Sequence, residues 1–363
     1  MRDPGWRAEE AGKVARRATE WAETHQKRFQ HDFPAISTYL PVMGEPDLEF
    51  YNKHYGFLPV HLTGERMTVG RAHPRRCRFC GKQGPDVTFL KEAHALPEMV
   101  GNKTLFSLHE CDACNELFGR TIEYHFGRWT GFQRTTSAVT GKNGVPQYQS
   151  KDGNVQWDVG AEGANIVFKG DIGPVKVDVE GRKVTISGEV QPYIPRFAYK
   201  CLVKMALSVM PEEDVAHFAY AFPWLREVDP AKDRHPGGFF RVMQSFTNGF
   251  KPFRWPTYIL LRRKNDGDEI PHYSFVLAWG NYSHQIFIPF SAKDAHLRGR
   301  QITLPPFPNL YESDPARKVT RWDDDLGSLE KTEVKVQTVT YHMDSIVEKP
   351  ITPAPETPLE PRG

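Results

Sequence analysis

The chain has no run of about 18 apolar residues, so no segment is long enough to cross a bilayer as a helix. Its opening, Met1-Arg2-Asp3-Pro4-Gly5-Trp6, lacks the apolar stretch of a secretory signal, and the expectation is a cytoplasmic protein that makes no membrane contact. Neither sign of charge is in surplus: 47 Lys and Arg stand against 45 Asp and Glu, a net +2. Any binding of a polyanion must therefore come from a local patch. Cysteine is scarce, 5 in 363 residues, which excludes a disulfide scaffold. What is present, 39% hydrophobic and 25% charged residues with 23 Phe and 13 Tyr, excludes general disorder, and the length allows two domains.

Four of the five cysteines form two pairs, Cys77-Arg78-Phe79-Cys80 and Cys111-Asp112-Ala113-Cys114. Two Cys-x-x-Cys turns in a chain without an export signal predict one tetrahedral zinc ion held by four thiolates. Such an ion is structural, because four protein ligands leave no position for water. It can contribute on the order of 10 kcal/mol of apparent folding free energy to a small module with a thin core. The fifth, Cys201, falls on an apolar helix face and reads as a buried small residue.

Around this centre the chain reads as α+β. Residues 1–70 form an N-terminal lead, with an amphipathic helix over 7–31 and irregular structure from Phe33 to Gly70. Residues 71–132 hold the cysteines, with a short strand at Asp86 to Leu90 and a helix from Asn115 to Trp129. Residues 133–347 are expected to form an α+β domain rich in antiparallel sheet. Its strand-like segments are Val155–Val159, Ala164–Phe168, Val175–Val179, Lys183–Ile186, Phe239–Phe246, Tyr258–Arg262, Tyr273–Trp279 and Gln285–Pro289. A helical stretch over Arg196–Leu225 breaks at Pro211. Residues 348–363 repeat Pro between Thr, Glu and Leu and read as a flexible tail.

Between the cysteine pairs lie His94, in Glu92-Ala93-His94-Ala95-Leu96-Pro97-Glu98, and Gly101-Asn102-Lys103; Asn115 follows the last cysteine. This order, Cys-x-x-Cys, then His with Pro three residues on, then Gly-Asn-Lys, then Cys-x-x-Cys-Asn, resembles the HNH or ββα-metal endonucleases, in particular their branch with a four-cysteine zinc. The resemblance implies a zinc-stabilised ββα-metal module that cuts DNA. In it His94 would be the general base that takes a proton from the attacking water, and Asn115 an oxygen ligand to a catalytic Mg²⁺ or Mn²⁺.

Many members place an Asp directly before the His, but here that position is Ala93. Strand alternation puts Glu92 on the side of His94, making it the first substitute as a metal ligand. On a continuous helix Glu123 and His125 would each lie about 80° from Asn115, on opposite sides. A hard cation favours Glu123, although the family often uses a His there. Asn115 could alternatively cap the helix that follows it.

Basic residues around the module, Arg66, Arg75, Arg78, Lys91, Lys103, Arg120 and Arg134 among them, suit a phosphate backbone, and double-stranded DNA is favoured over single-stranded as the partner. The C-terminal domain is left to bind a partner protein or a ligand. By analogy the activity would serve defence against phage or a mobile element. The alternative reading is a non-catalytic zinc-knuckle protein that only holds nucleic acid. Glu333-Val334-Lys335 and Asp323-Asp324-Asp325 read as a chance triplet and a solvated acidic turn.

Overall fold

Asp47 starts the first described helix: its carboxylate accepts the Phe50 amide at 2.8 Å and caps α1 (Leu48–His54). The computed structural model describes residues 45–342, apart from 63, 143, 146–147, 150–154, 161–162, 169–174, 234–239, 298–299, 301 and 303. The expected helix over 7–31 and the tail over 348–363 lie outside these residues.

After α1 come β1 (Tyr55–His61) and β2 (Met67–Val69). The expectation of irregular structure up to Gly70 is thus corrected. The physical reason lies far along the sequence: β1 takes its hydrogen bonds from residues 257–263, and Tyr51 and Tyr55 are fully buried. Pro59 is tolerated because β1 lies at the edge of its sheet, where one side of the strand needs no N–H donor.

The cysteine module follows, with β3 (Ala93–His94), β4 (Leu105–Ser107), α2 (Asp112–Arg120), α3 (Ile122–Trp129) and α4 (Gly131–Thr136). β4 pairs antiparallel with β3 and parallel with β2. Two expectations are corrected here. Residues 86–90 are not a strand, because the amides of Leu90 and Lys91 and the hydroxyl of Thr88 are taken by the Asp112 carboxylate instead of a ladder. The helix expected over 115–129 starts earlier and is two helices. It breaks at Thr121, whose hydroxyl turns back to the Leu117 carbonyl at 2.6 Å and whose amide closes a tighter turn on Phe118.

Beyond the module run β5 (Tyr148–Gln149), β6 (Val155–Gly160), β7 (Gly163–Phe168), β8 (Val175–Asp178) and β9 (Lys183–Val190). Then come α5 (Pro195–Val209), α6 (Glu212–Val215) and α7 (Ala221–Arg226), with the expected break at Pro211. The strands β10 (Arg241–Thr247), β11 (Phe253–Arg263), β12 (Tyr273–Gly280), β13 (Tyr282–Phe287), β14 (Val319–Asp325) and β15 (Lys335–His342) complete the described chain. The acidic run 323–325 is the end of β14, not a turn, because its backbone pairs with residues 241–243.

The largest sheet is wholly antiparallel, in the order β1-β11-β12-β13-β10-β14. β12 is buried at every residue, as a central strand covered on both faces must be. Nearly every residue of α5 is buried too, and α3 packs on it. This contact makes one continuous apolar core of the module (Phe79, Phe118, Phe126) and the chain beyond it (Met205, Phe275, Trp279). α4 reaches the second sheet, β15-β9-β8, at Gly188, where any Cβ would lie 2.3 Å from the Phe132 ring; only glycine permits the approach.

Candidate active site

The Cys77–Cys80 turn is closed by the Cys77 amide on the Lys82 carbonyl at 2.7 Å and by the Gly81 amide on the Cys77 carbonyl at 2.8 Å, with Gly81 at φ 71°. The second pair is set by a helix end, with Cys111 at the N-cap of α2 and Cys114 within its first turn. All four sulfurs are buried and lie within 4.8 Å of one another. Cys80 Sγ and Cys111 Sγ are 3.8 Å apart. Thiolates at about 2.3 Å from a tetrahedral zinc would be spaced about 3.8 Å, so the cluster fits that ion. The Cys111 amide also points at Cys77 Sγ at 3.5 Å, as a thiolate acceptor requires.

The cluster anchors α2, and α2 positions the strand that carries His94. Asp112 Oδ2 accepts from Thr88 Oγ1 at 2.6 Å and from the Leu90 amide at 3.0 Å, while Oδ1 accepts from the Lys91 amide at 2.8 Å. On the other side of β3, buried Asn102 clasps the hairpin with four hydrogen bonds. Its Nδ2 donates to the Leu96 and Leu105 carbonyls, and its Oδ1 accepts from the Thr104 and Leu105 amides. A chain held at both ends costs little further ordering when substrate binds.

His94 is half-buried and packs on Phe106 at 4.7 Å between ring centres. Its imidazole has no hydrogen-bond partner among the described residues. Burial is the main force on its titration and lowers its pKa; the Glu98 carboxylate acts the other way, followed by Lys204, which lowers it, and Glu123, which raises it. The ring is therefore neutral near pH 7 and can accept a proton. Four of the groups acting on it, Glu98, Glu123, Lys103 and Lys204, also pair among themselves: Lys103 Nζ lies 2.8 Å from Glu98 Oε1, and Lys204 Nζ lies 3.2 Å from Glu123 Oε1.

Lys204 comes from α5, beyond the cysteine module, and its side chain is fully buried. Its ammonium lies 3.0 Å from Glu110 Oε2, 3.2 Å from Glu123 Oε1 and 3.4 Å from the carbonyl oxygen of His94. One cation thus ties the backbone of the histidine to two acids. A further bond set locks the module onto the end of α5: Arg78 Nη1 donates to the Leu207 and Met210 carbonyls at 2.5 and 2.9 Å, Arg78 Nη2 pairs with Glu212, and His109 contacts the Ser208 carbonyl at 3.0 Å. These carbonyls are the unsatisfied acceptors of a helix C-terminus, where a cation is favoured.

The sequence-selected residues thus fall into distinct places. Asn115 is half-buried in the first turn of α2, with its own amide on Cys111; the N-cap is Cys111, so Asn115 does not cap the helix. Glu123 shares Lys204 with the backbone of His94. Glu92 is exposed and paired with Arg66, whose guanidinium lowers its pKa. His125 faces other neighbours: its Nδ1 accepts the Ile194 amide at 3.1 Å, its ring packs on Phe197, and burial lowers its pKa to about 4.

Two expected members of the basic patch are not free for a phosphate. Arg78 is buried on the end of α5, and Arg134 donates to the Gly127 carbonyl within the module. Sequence reasoning gave no role to Glu98, Asn102, Glu110, Asp112 or Lys204. For Lys204 a signal existed, since it and Lys200, one turn earlier, stand among apolar residues of the same helix.

Two cysteine turns that bring four sulfurs together, a histidine on a short hairpin and an asparagine on the following helix form the arrangement expected from the ββα-metal resemblance. Residues 77–130 match the model of the HNH endonuclease family. No curated protein and no solved structure matches the chain.

Proposed function

We propose that the protein is a metal-dependent endonuclease that hydrolyses phosphodiester bonds in DNA, with His94 as general base. The observation that carries this reading is a neutral, half-buried imidazole without a hydrogen-bond partner among the described residues, held on a clasped hairpin beside the carboxylates of Glu98 and Glu123. An imidazole so placed takes the proton of a water as its oxygen attacks phosphorus. The phosphate then keeps the 5′ oxygen, and the 3′ oxygen leaves.

Asn115 and Glu123, with Glu92 or Glu98 as further carboxylates, are the residues that would hold Mg²⁺ or Mn²⁺. When bound, such a cation neutralises the phosphate oxygens and the charge on the leaving group. The hard oxygen donors in this set support Mg²⁺ over a softer ion. His125 is the weaker candidate, since its Nδ1 is already engaged. The zinc of Cys77, Cys80, Cys111 and Cys114 holds the hairpin and helix in place and takes no part in the chemistry.

Double-stranded DNA is the proposed substrate, with exposed Arg66, Lys91 and Arg120 on its backbone. The proposed setting is the cytoplasm, in defence against phage or in a mobile element. The test is a plasmid-nicking assay with Mg²⁺ or Mn²⁺. Wild type is expected to cut, and His94→Ala to lose at least about a hundredfold, the usual contribution of a general base. Intact plasmid with both proteins, together with equal gel shifts, would leave a binding module in its place.

A further inference from the structure

A cavity lined almost wholly by residues beyond the HNH match, with Trp129 from within it, lies between two strands at the edges of different sheets. β14 ends the six-stranded sheet and β15 ends the sheet β15-β9-β8. Both line a groove of about 800 Å³. Strand alternation places Thr320, Trp322 and Asp324 on one face of β14, Lys318 directly precedes the strand, and all four line the groove. Its floor is aromatic, with Trp129, Phe246 and Tyr282 buried and Trp322 partly open. Its rim is cationic: Lys183, Lys318 and Lys335 are all exposed there, and among the described residues that line it Asp324 is the sole acid.

We propose that this groove binds a nucleotide unit of a single nucleic-acid strand, with the base against the aromatic wall and the phosphates on the lysine rim. Charge complementarity argues for the phosphates, since three lysines around a low-dielectric floor attract an anion. Aromatic walls argue for a base, because a splayed base presents a flat face to stack, whereas a duplex keeps its faces covered. The volume has room for a base with its sugar and is within the range of small-ligand sites.

Asp324 gives the floor a hydrogen-bonding group for a base edge. Gln244 Nε2 donates to its Oδ2 at 2.7 Å, Gln133 Nε2 donates to Gln244 Oε1 at 3.1 Å, and His284 holds Gln133 from behind at 3.2 Å. This buried chain orients the carboxyl before any ligand arrives, the preorganisation that recognition needs.

The groove is joined to the nuclease site by one helix. Trp129 is the last residue of α3, and Glu123, on the same helix, lies about 9 Å away along its axis. A strand held in the groove would therefore touch the helix that carries Glu123. The inference rests on the reading that the substrate is nucleic acid, and it adds a contact on unpaired nucleotides outside the cutting site.

The test uses full-length His94→Ala protein, so that nothing is cut, and the anisotropy of a short labelled single-stranded DNA. Lys318→Glu/Lys335→Glu changes only exposed residues. It is expected to weaken binding at least tenfold and to reduce the slope of log affinity against log salt by about 1.4, the effect of two lost phosphate contacts. Trp322→Ala is expected to cost about tenfold through lost stacking. Lys232→Glu, an exposed change outside the groove, is expected to bind like the parent protein. Groove variants that bind as the parent does overturn the proposal. A mononucleotide that competes as well as the oligonucleotide overturns the strand as the source of the ligand. If wild type cuts nothing while the groove variants still lose affinity, the nuclease reading fails and the groove stands; cutting that needs His94 with unchanged groove affinity gives the reverse.

Discussion

The ammonium of Lys204 meets the carboxylate of Glu123 at 3.2 Å in the interior, although the lysine belongs to α5 and the acid to the HNH module. Burial works against the lysine's charge, but the carboxylates of Glu110 and Glu123 outweigh it, so its pKa is raised and it stays protonated. Removing one partner of such a cluster strands buried charge. Lys204→Met is expected to destabilise the protein by about 3 kcal/mol in urea unfolding. Lys204→Met/Glu110→Gln should recover part of that loss, because one stranded carboxylate has gone. Equal stability of Lys204→Met and wild type would remove the lysine from its place as the link between module and scaffold.

Zinc removal should act beyond the module. The Cys77–Cys80 turn carries Arg78, which holds the C-terminus of α5. Chelation, or Cys111→Ala, is expected to unfold the module with a loss on the order of 10 kcal/mol and to free that helix end. Metal analysis should find one zinc per chain before treatment, and hydrogen exchange should rise at residues 205–210 after it. Unchanged protection there would mean that the docking of Arg78 does not depend on the metal.

Cleavage should fall in acid only below the ordinary imidazole range. His94 acts as a base when neutral, and burial lowers its pKa, so the neutral form persists below pH 6.5. Glu98 acts in the opposite direction, raising it. Glu98→Gln is therefore expected to move the acid limb of kcat/KM to still lower pH. A limb that moves upward would contradict the sign of this interaction.

Stability should also weaken in acid through His284. Its ring is buried, stacked on Trp279 at 5.6 Å, and burial lowers its pKa to about 3. Unfolding returns it to about 6.5, so between these values the unfolded chain binds the extra proton. The stability this neutral ring contributes is complete above about pH 6.5 and is lost as pH falls, at about 1.4 kcal/mol per unit. His284→Gln, which can keep the bond to Gln133, should show a shallower slope by that amount in denaturant melts taken across this range.

Much of the centre was legible because its signals are local. A Cys-x-x-Cys turn needs no partner to be recognised, and the helix over 195–209 announces itself by apolar periodicity and by Pro211 after its end. The strands that fill the large sheet carry enough apolar and β-branched residues to be read singly. Asp112 shows the limit. Its residue type suggests only a helix start, whereas its carboxylate organises residues 88–91, which composition alone renders as a strand. Likewise the run 323–325 reads as a turn until its pairing with β10 is known.

The four thiol ligands of the candidate zinc site were determined by the sequence itself, since two Cys-x-x-Cys turns supply all of them. So were the place of His94 between the pairs, three residues before Pro97, and that of Asn115 directly after Cys114. Which acids surround that histidine was decided only in three dimensions. Lys204 reaches Glu123 and the His94 carbonyl across 81 and 110 residues of chain, and no periodicity encodes a contact of that separation. Such pairings depend on how α3 packs against α5, which the burial of both apolar faces selects as a whole and not residue by residue.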